Sequence, residues 1–430
     1  MREKKLKEFD KPIPQASLNI VEKTRSNLFA WRGQFSPQLI ETILNSYCLP
    51  NSVIMDPFVG SGTVLLEAGN FGLEAYGFDI NPAAWILSSI YELIHNSQRQ
   101  KIINNLRGQI EINFPLKILS NNSTIDNIEE ILWQIRRDFD AEYIKVFDAL
   151  VILLDVANKE TTNELIQAKF YHLVNVIEKL PYSNKPIKVG LGDARSLPLS
   201  DARVDFVVTS PTYINVFNYH QNYRKSAEIL GWNLLKIAKS EIGSNRANRG
   251  NRFYTVIQYC LDMADVLREL ARVTKTDARI VLVVGYESKV LGVTFYNADI
   301  IEKIGVSSGL FAKVLRQKRE FKNKFGKWIR EDIINFVNLK SPCSESELEN
   351  IARKVALEVL TSNLTIVAAK NLKYLENAID RVENIGKTVI LDKKHCIYSP
   401  SQPKQVASSL TYSYYPHSAG SAIARSSTQC

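Results

Sequence analysis

The sequence has few cysteines, and they stand too far apart to form a covalent or metal-bound framework. Five occur among 430 residues, at positions 48, 260, 343, 396 and 430. None forms a CxxC pair, so neither a zinc site nor a set of disulfides is indicated, and we expect reduced thiols. The five histidines show no spacing typical of metal ligands. We therefore expect no bound metal.

Long apolar runs are also missing. The longest, Val146 to Val156, is short and is interrupted by Asp148 and Asp155, whereas a membrane-spanning helix needs about 20 apolar residues. The N-terminus begins Met-Arg-Glu-Lys-Lys and lacks the apolar stretch of a secretory signal. We expect a cytoplasmic protein that has no membrane partner and is associated with the nucleoid when it is bound to DNA.

Acidic residues are outnumbered by basic ones, 45 to 54, and the excess is concentrated in two places. Eight basic residues and a single acidic one lie between positions 311 and 330, and a second basic stretch follows position 245. Such clusters are typical of a surface that binds a polyanion, although a solvated surface is an equally good interpretation of charge alone. The residues expected to contact phosphates are Arg246, Arg249, Arg252, Lys318, Arg319, Lys322 and Lys324.

What is present is the composition of a folded globular protein, with 45% hydrophobic and 23% charged residues. Short apolar runs predict strands at 52–55, 74–78, 186–190, 204–208 and 278–285, and a hairpin within 309–338. Helical periodicity follows several of them, which predicts an α/β fold with a mostly parallel sheet. We expect one antiparallel edge strand, contributed by the hairpin.

The same pass along the chain predicts its organisation. Residues 98–185 show helical patterning and are too long for a simple connection, so we expect an insertion there. The predicted segments are an N-terminal arm (1–30), a first half of the main domain (31–97), the insertion (98–185), a second half (186–340), a C-terminal helical segment (341–400) and a disordered tail (401–430).

A glycine loop follows the first predicted strand. Gly60-Ser61-Gly62-Thr63 stands between that strand and a helix, where small residues let a ligand approach the backbone and the helix N-terminus offers free N–H groups. No GK[ST] follows, and the spacing is not GxGxxG, so neither a P-loop nor a dinucleotide fingerprint is present. Asp56 at the strand end would repel a pyrophosphate and attract a cationic ammonium group. Asp79, at the end of the next strand, is suited to accept hydrogen bonds from ribose hydroxyls.

A second motif follows the strand at 204–208. Ser210-Pro211-Thr212-Tyr213 supplies a hydroxyl, a strand-end carbonyl and an aromatic ring. The first two can accept N–H hydrogen bonds from an exocyclic amine and so localise its lone pair, and the ring can stack on an extrahelical base. A simple proline turn after a strand is the structural alternative.

DPFVGSGT, FDINP and TSPTY together resemble the S-adenosylmethionine-dependent DNA amino-methyltransferases of restriction–modification systems. The likeness is greatest to the cytosine-N4 branch, whose catalytic motif is typically SPPY, whereas adenine-N6 members more often show DPPY or NPPY. Thr212 departs from that pattern, because the family usually has a second proline there. The resemblance covers roughly 31–97 and 186–340. It implies a Rossmann-like methyltransferase sheet, S-adenosylmethionine as cofactor, double-stranded DNA as substrate and a cognate restriction endonuclease as a possible partner.

The resemblance also implies which residues form each site. Ser210, Pro211, Thr212 and Tyr213 would be catalytic. The segment around Trp31 to Leu39 is similar to one that lines the methionine end of the cofactor in such enzymes. The cofactor would be bound by Phe35, Ser36, Pro37, Asp56, Pro57, Phe58, Gly60, Ser61, Gly62, Thr63, Asp79, Ile80, Asn81, Asp193 and Ala194. In this set Asp79 would hold the ribose and Asp193 the adenine amine.

Three other classes of protein are weighed against this one. A cytosine-C5 methyltransferase needs a Pro-Cys nucleophile at the catalytic strand end, and Pro342-Cys343 lies past the last predicted strand. An RNA methyltransferase, such as one acting on guanine N2 of tRNA, uses similar loops, but we recognise no RNA-binding domain before position 31. A non-catalytic nucleic-acid-binding protein would keep the basic stretches without needing Asp79, Asp193 and the tetrapeptide together.

Overall fold

The computed structural model describes residues 10–116, 124–156, 160–215, 219–244, 248–323 and 326–397. The strands are β1 Val53–Asp56, β2 Glu74–Asp79, β3 Ile187–Leu191, β4 Val204–Thr209, β5 Thr274–Gly285, β6 Glu287–Val290, β7 Val293–Tyr296, β8 Phe311–Lys322 and β9 Trp328–Asn338. The α-helices are α1 Gln15–Asn19, α2 Pro37–Tyr47, α3 Thr63–Asn70, α4 Pro82–Ser89, α5 Arg99–Asn113, α6 Ile128–Arg137, α7 Ala141–Leu154, α8 Asn163–Glu178, α9 Arg224–Ile229, α10 Leu234–Ile237, α11 Tyr254–Val273, α12 Asn297–Ser307, α13 Glu345–Thr361 and α14 Ala369–Asp380.

Seven strands form one sheet, in the order β3-β2-β1-β4-β5-β9-β8. Strands β1 to β5 run parallel to one another, and β9 runs antiparallel to both β5 and β8. The expected α/β class with a mostly parallel, Rossmann-like sheet is confirmed. The antiparallel strand lies next to the edge, because β8 pairs with its outer side. Parallel strands all end at the same edge of the sheet, so β1, β2, β3 and β4 bring their carboxyl ends together.

Helices cover both faces of the sheet, which explains why the central strands read as continuous apolar runs. Helices α2 to α8 pack on one face around Ile54, Phe206 and Val283. Helices α11 to α14 pack on the other, around Met55 and Val284. The sheet is therefore buried from both sides and presents its carboxyl edge for ligands.

The region predicted as a helical insertion contains α5 to α8, which extend the first of these two layers. The aspartate that interrupts its apolar run is paired. Arg136 donates to Asp148 from Nε at 2.6 Å and from Nη2 at 2.8 Å, and both residues are buried. Asp148 can therefore lie within the buried helix α7 because a guanidinium satisfies both of its oxygens.

Other parts of the chain differ from the sequence-based expectation or refine it. The described part of the arm, from residue 10, runs along the edge strand β8, where the backbone N–H of Ile13 donates to the side chain of Gln317 at 2.9 Å. Such a cover protects an edge strand from pairing with another chain. The β6–β7 hairpin and α12 were not predicted. The helix after Ser344 was predicted, and the Ser344 hydroxyl caps it by accepting from the N–H of Glu347 at 3.2 Å. The predicted tail, 401–430, lies outside the described residues.

Among the described residues, no helix is long and apolar enough to cross a membrane. The same part of the chain holds no group of three or more His, Cys, Asp or Glu side chains that could bind a metal ion.

Candidate cofactor and base site

The glycine loop after β1 needs glycine at two positions. Gly60 and Gly62 have φ angles of +50° and +87°, which side-chain-bearing residues rarely adopt. A Cβ on Gly62 would lie 2.4 Å from the Tyr91 ring, and one on Gly60 would lie 3.1 Å from Trp31. Each of the two glycines therefore lies against an aromatic ring, and α3 begins at Thr63, the last residue of the loop.

Asp79, at the end of β2, connects the glycine loop to the residue that caps α4. One carboxylate oxygen accepts from the N–H of Gly60 at 3.0 Å and the other from the N–H of Asn81 at 2.8 Å. Burial raises its pKa to about 6, and the nearby charge of Glu241 adds to the rise. Each carboxylate oxygen can accept more than one hydrogen bond, and the side chain is only partly buried. Asp79 can therefore still accept hydroxyl hydrogen bonds from a ligand.

Asp56 joins the ends of β1 and β4. Its Oδ1 accepts from the hydroxyl of Thr209 at 2.6 Å and from the N–H of Phe58 at 3.1 Å. Burial raises its pKa to about 7, with a further contribution from Asp79. The end of β4 and the turn that leads from β1 toward the glycine loop are therefore connected through one carboxyl group. Its neighbours Pro57 and Phe58 form the turn that leads into the loop.

The segment before α2 is connected to the same loop. The hydroxyl of Ser61 donates to Gln34 at 2.8 Å, and that of Thr63 donates to Asn27 at 2.9 Å. Asn27 in turn donates to the carbonyl of Phe35 at 2.7 Å. Ser36 is the residue before Pro37, the first residue of α2, and its buried hydroxyl has no hydrogen-bond partner within the described residues. Hydrogen bonds through Gln34 and Asn27 therefore connect the segment that contains Phe35 to the glycine loop.

The tetrapeptide Ser210–Tyr213 follows β4 directly. Ser210 Oγ and the Tyr213 hydroxyl share a hydrogen bond of 3.2 Å. The Tyr213 ring occupies the space beside Gly285, where a Cβ would lie 2.7 Å from it. Burial raises the pKa of Tyr213, so the phenol stays protonated at neutral pH. The hydroxyl and the ring that an amine-methylating site needs are therefore adjacent.

Two residues that the sequence analysis missed hold this motif in place. The Tyr259 hydroxyl on α11 donates to the carbonyl of Thr212 at 3.0 Å. Asn297, at the start of α12, accepts from the N–H of Ile214 at 3.2 Å and donates to the carbonyl of Gly285 at 3.0 Å. Neither residue lies in a recognisable motif, because each acts from a helix distant in sequence.

A segment after the tetrapeptide also reaches the cofactor side. Asn81 caps α4 and donates from its side chain to the carbonyl of Tyr219 at 3.0 Å. His220 pairs with Glu241, from Nδ1 at 2.8 Å and from its backbone N–H at 2.6 Å, and both side chains are buried. Burial, then Asp79 and Glu241, raise the pKa of Tyr219 to about 12. The sequence analysis assigned no role to this region. The weak signal in the sequence is a Tyr-His pair that begins six residues after Tyr213.

The structure corrects the expectation for Asp193. Its carboxylate accepts from Arg195 at 2.9 Å and 2.7 Å and from the N–H of Leu391 at 3.1 Å. It is 3% exposed, and Ala194 is buried beside it. Both oxygens are therefore occupied by partners within the chain, and Asp193 does not present a free carboxylate to an adenine amine.

Arg195 explains why Asp193 is enclosed. Its guanidinium also donates to Asp262 at 2.9 Å and to the carbonyl of Thr388 at 2.7 Å. The residues after α14 thus cross this region and are tied to it by charge-assisted hydrogen bonds. The sequence motif places Asp193 after β3, but the ligands of Arg195 come from far along the chain.

The predicted phosphate-binding residues divide into four groups. Arg249, Lys318 and Lys322 are exposed. Arg252 is half-buried and donates to Asn215. Arg246 and Lys324 lie outside the described residues. Arg319 is a correction, because it is 4% exposed, pairs with Glu331 at 2.6 Å and donates to the carbonyl of Leu18 at 2.9 Å, which leaves it unable to reach a phosphate.

Comparisons with known proteins match the part of the chain that contains the glycine loop and Asp79. Residues 2–87 match the family model described as DNA methylase. A 73-residue stretch is 33% identical to the Type II methyltransferase M.MjaII of Methanocaldococcus jannaschii, covering 17% of this chain and 14% of that protein. The chain therefore spans a small part of this curated relative.

The solved structures that match this chain have little sequence identity to it and low TM-scores. An S-adenosylmethionine-dependent methyltransferase from Methanosarcina mazei is 13% identical, with a TM-score of 0.33, over 69% of this chain and 97% of that one. The rRNA methyltransferase aviRa from Streptomyces viridochromogenes is 13% identical, with a TM-score of 0.30, over 73% and 90%. The fold is assigned here from strand order and direction.

The family match contains both the glycine loop and Asp79. Over residues 2–87 the chain matches the DNA methylases, and the resemblance expected from its motifs is confirmed there, with S-adenosylmethionine as the cofactor.

Proposed function

We propose that this protein transfers a methyl group from S-adenosylmethionine to the exocyclic amine of an extrahelical base in double-stranded DNA, with cytosine N4 as the acceptor. The observation that carries the proposal is the bond between Thr209 and Asp56, which joins the strand end before Ser210–Tyr213 to the end of β1, from which the chain enters the glycine loop. Methyl transfer between two bound molecules requires that their sites meet, because alignment supplies much of the rate enhancement.

The residues present fit the cofactor on the ribose and methionine sides. Gly60 and Gly62 give the loop its positive-φ turn, and the N-terminus of α3 after it offers free N–H groups. Asp79 keeps lone pairs for ribose hydroxyls, and the carboxyl of Asp56 suits a cationic group. When bound, S-adenosylmethionine supplies a methyl group on a positively charged sulfur. On the adenine side the fit needs other residues, because Asp193 is held by Arg195.

The chain's own groups would then prepare the base. Ser210 Oγ and the Pro211 carbonyl accept N–H hydrogen bonds from the exocyclic amine, which localises its lone pair for attack. The Tyr213 ring stacks on the base, an interaction worth about 1–3 kcal/mol. With the Tyr213 hydroxyl hydrogen-bonded to Ser210, the ring and the acceptor are set relative to each other before the base arrives.

Ser210 favours cytosine, because in the resembling enzymes serine opens the cytosine-N4 motif and Asp or Asn opens the adenine motifs. No cysteine stands at the end of β4, so the ring carbon has no nucleophile to activate it. The proposal includes a cognate restriction endonuclease as a possible partner and places the chain in the cytoplasm, with the DNA.

The test is product analysis with purified protein, S-adenosylmethionine, plasmid DNA and, separately, tRNA. We expect N4-methylcytosine in the digested DNA, its loss with Ser210→Ala, and tolerance of Thr212→Pro. N6-methyladenine would keep the class and overturn the base, 5-methylcytosine would overturn the mechanism, and methylation of tRNA alone would replace DNA by RNA as the substrate.

A further inference from the structure

The hairpin of β8 and β9 extends past the carboxyl edge of the sheet. Gly285, the last residue of β5, pairs with Glu331. Beyond that level the hairpin continues through the pairs Glu320–Arg330, Phe321–Ile329 and Lys322–Trp328. At about 3.3 Å per residue, these three pairs project about 10 Å beyond the end of β5. We call residues 320–322 and 328–330 the hairpin extension.

The extension begins at the wall of the proposed base site. The Tyr213 ring lies against Gly285, and Gly285 is the register partner of Glu331. The charge of Glu331 also contributes to the raised pKa of Tyr213. A base stacked on Tyr213 would therefore leave a duplex that lies beside this extension.

The surface of the extension combines aromatic rings with cations. Trp328 is 65% exposed, and Lys322 Nζ lies 5.2 Å from the centre of its ring. The guanidinium of Arg330 lies 3.5 Å from the ring centre of Tyr286, which packs at 5.1 Å against Tyr296. An exposed aromatic ring with cations beside it is the combination that binds nucleic acid, since the ring can stack on bases and the cations attract phosphates.

The base of the extension is anchored by buried polar contacts. Arg319 pairs with Glu331 and donates to the carbonyl of Leu18 in the N-terminal arm. Arg316 pairs with Asp332, one residue further down β9, at 2.6 Å. These contacts give the buried Arg319 a structural role and fix the base of the extension to the sheet and to the arm. Large apolar side chains that project toward a duplex can enter between base steps and unstack them.

We propose that Trp328 is a wedge that enters the DNA duplex beside the target base and stabilises its extrahelical state, with Lys322 and Arg330 contacting the flanking phosphates. This inference rests on the proposed function and adds a residue that no catalytic or cofactor motif contains. The energetic logic is that opening a paired base costs a few kcal/mol, least where the base is already unpaired.

The test compares two substrates that differ in the cost of opening. One is a short duplex carrying the site found methylated in DNA from expressing cells, and the other is that duplex with an abasic position opposite the target. Trp328→Ala should lose at least about tenfold in turnover on the paired duplex and recover to nearly wild-type turnover on the abasic one. Trp328→Phe should retain most activity on both. The matched control is Tyr182→Ala, because Tyr182 is 63% exposed and lies in the segment between α8 and β3.

A loss of equal size on both duplexes, or no loss, would overturn the wedge while the wild-type turnover keeps the proposed function. A wild-type protein inactive on both duplexes would overturn the proposed function and the wedge with it.

Discussion

Asp79 and Asp193 follow neighbouring strands, β2 and β3, and the sequence places both at the cofactor. In the structure they differ. Asp79 accepts two backbone N–H groups and stays partly accessible. Asp193 is buried in an ion pair with Arg195 and is covered by the residues after α14. Position at a strand end therefore predicts where a carboxylate lies, whereas distant parts of the chain decide whether it is free to bind a ligand.

The largest expected effect is a loss of fold stability when Arg195 is replaced, because Arg195 pairs with Asp193 and not with Asp79. Arg195→Met removes the partner of Asp193 and Asp262, all three of whose side chains are at most 3% exposed. Leaving buried charges unpaired should destabilise the fold by about 3–5 kcal/mol, measured by urea unfolding. The control is Arg268→Met, in a more exposed ion pair with Glu345, which should cost no more than about 1 kcal/mol. Equal costs would show that Arg195 is not holding the C-terminal segment in place.

Cofactor affinity should distinguish the aspartates directly. Asp79→Ala should weaken S-adenosylmethionine binding by about 1–3 kcal/mol, the range for hydrogen bonds to a charged group. Asp193→Asn should lower the midpoint of thermal unfolding instead, with affinity close to wild type once the protein is folded. Calorimetric titration of both variants checks this. Unchanged affinity in Asp79→Ala would remove Asp79 from the site.

The pH dependence should follow the two raised carboxyl pKa values, about 7 for Asp56 and about 6 for Asp79. A cationic cofactor favours the ionised carboxylates, so affinity should fall as pH drops below 7, by up to about tenfold per pH unit for each group that must ionise. The free protein should behave oppositely. These groups hold protons in the folded state that they have lost when unfolded, so their contribution to stability falls as pH rises from about 4 to 7.

Titrations at several pH values check the affinity, and urea unfolding checks the stability. Asp79→Asn should flatten both trends. Affinity that is independent of pH between 5 and 8 in the wild type would contradict the assignment.

The smallest effect sharpens the same contrast on β8, where Lys318 and Lys322 are exposed and Arg319 is buried. Replacing Lys318 and Lys322 by Gln should weaken binding to all DNA sequences alike. It should also reduce the slope of log affinity against log salt by about 0.9 per lost phosphate contact. Arg319→Gln, in folded protein, should leave the slope unchanged. An unaltered slope in the lysine variants would make this strand a solvated surface.

The sheet was predictable because its signals are local. Val53–Met55 and Val204–Val208 are apolar runs with turn residues after them, and the Ser344 cap marks a helix start. The tight loop after β1 was predictable for the same reason, because few residue types other than glycine adopt a positive φ angle.

Tyr259, Asn297 and Arg195 act across long sequence separations, and no local pattern reports which side chain they contact. Trp328 was likewise missed, because the sequence analysis considered only the basic residues of the stretch in which it lies.

The central claim is that the site where the ends of β1 and β4 meet transfers a methyl group to an exocyclic amine of DNA. Nucleoside analysis by mass spectrometry, on DNA from cells expressing the wild-type chain or Tyr213→Ala, tests it most directly. The account predicts N4-methylcytosine with the wild type and its near absence with the variant, while purified Tyr213→Ala still binds S-adenosylmethionine. DNA without any amine-methylated base, or equal methylation with both chains, would contradict it.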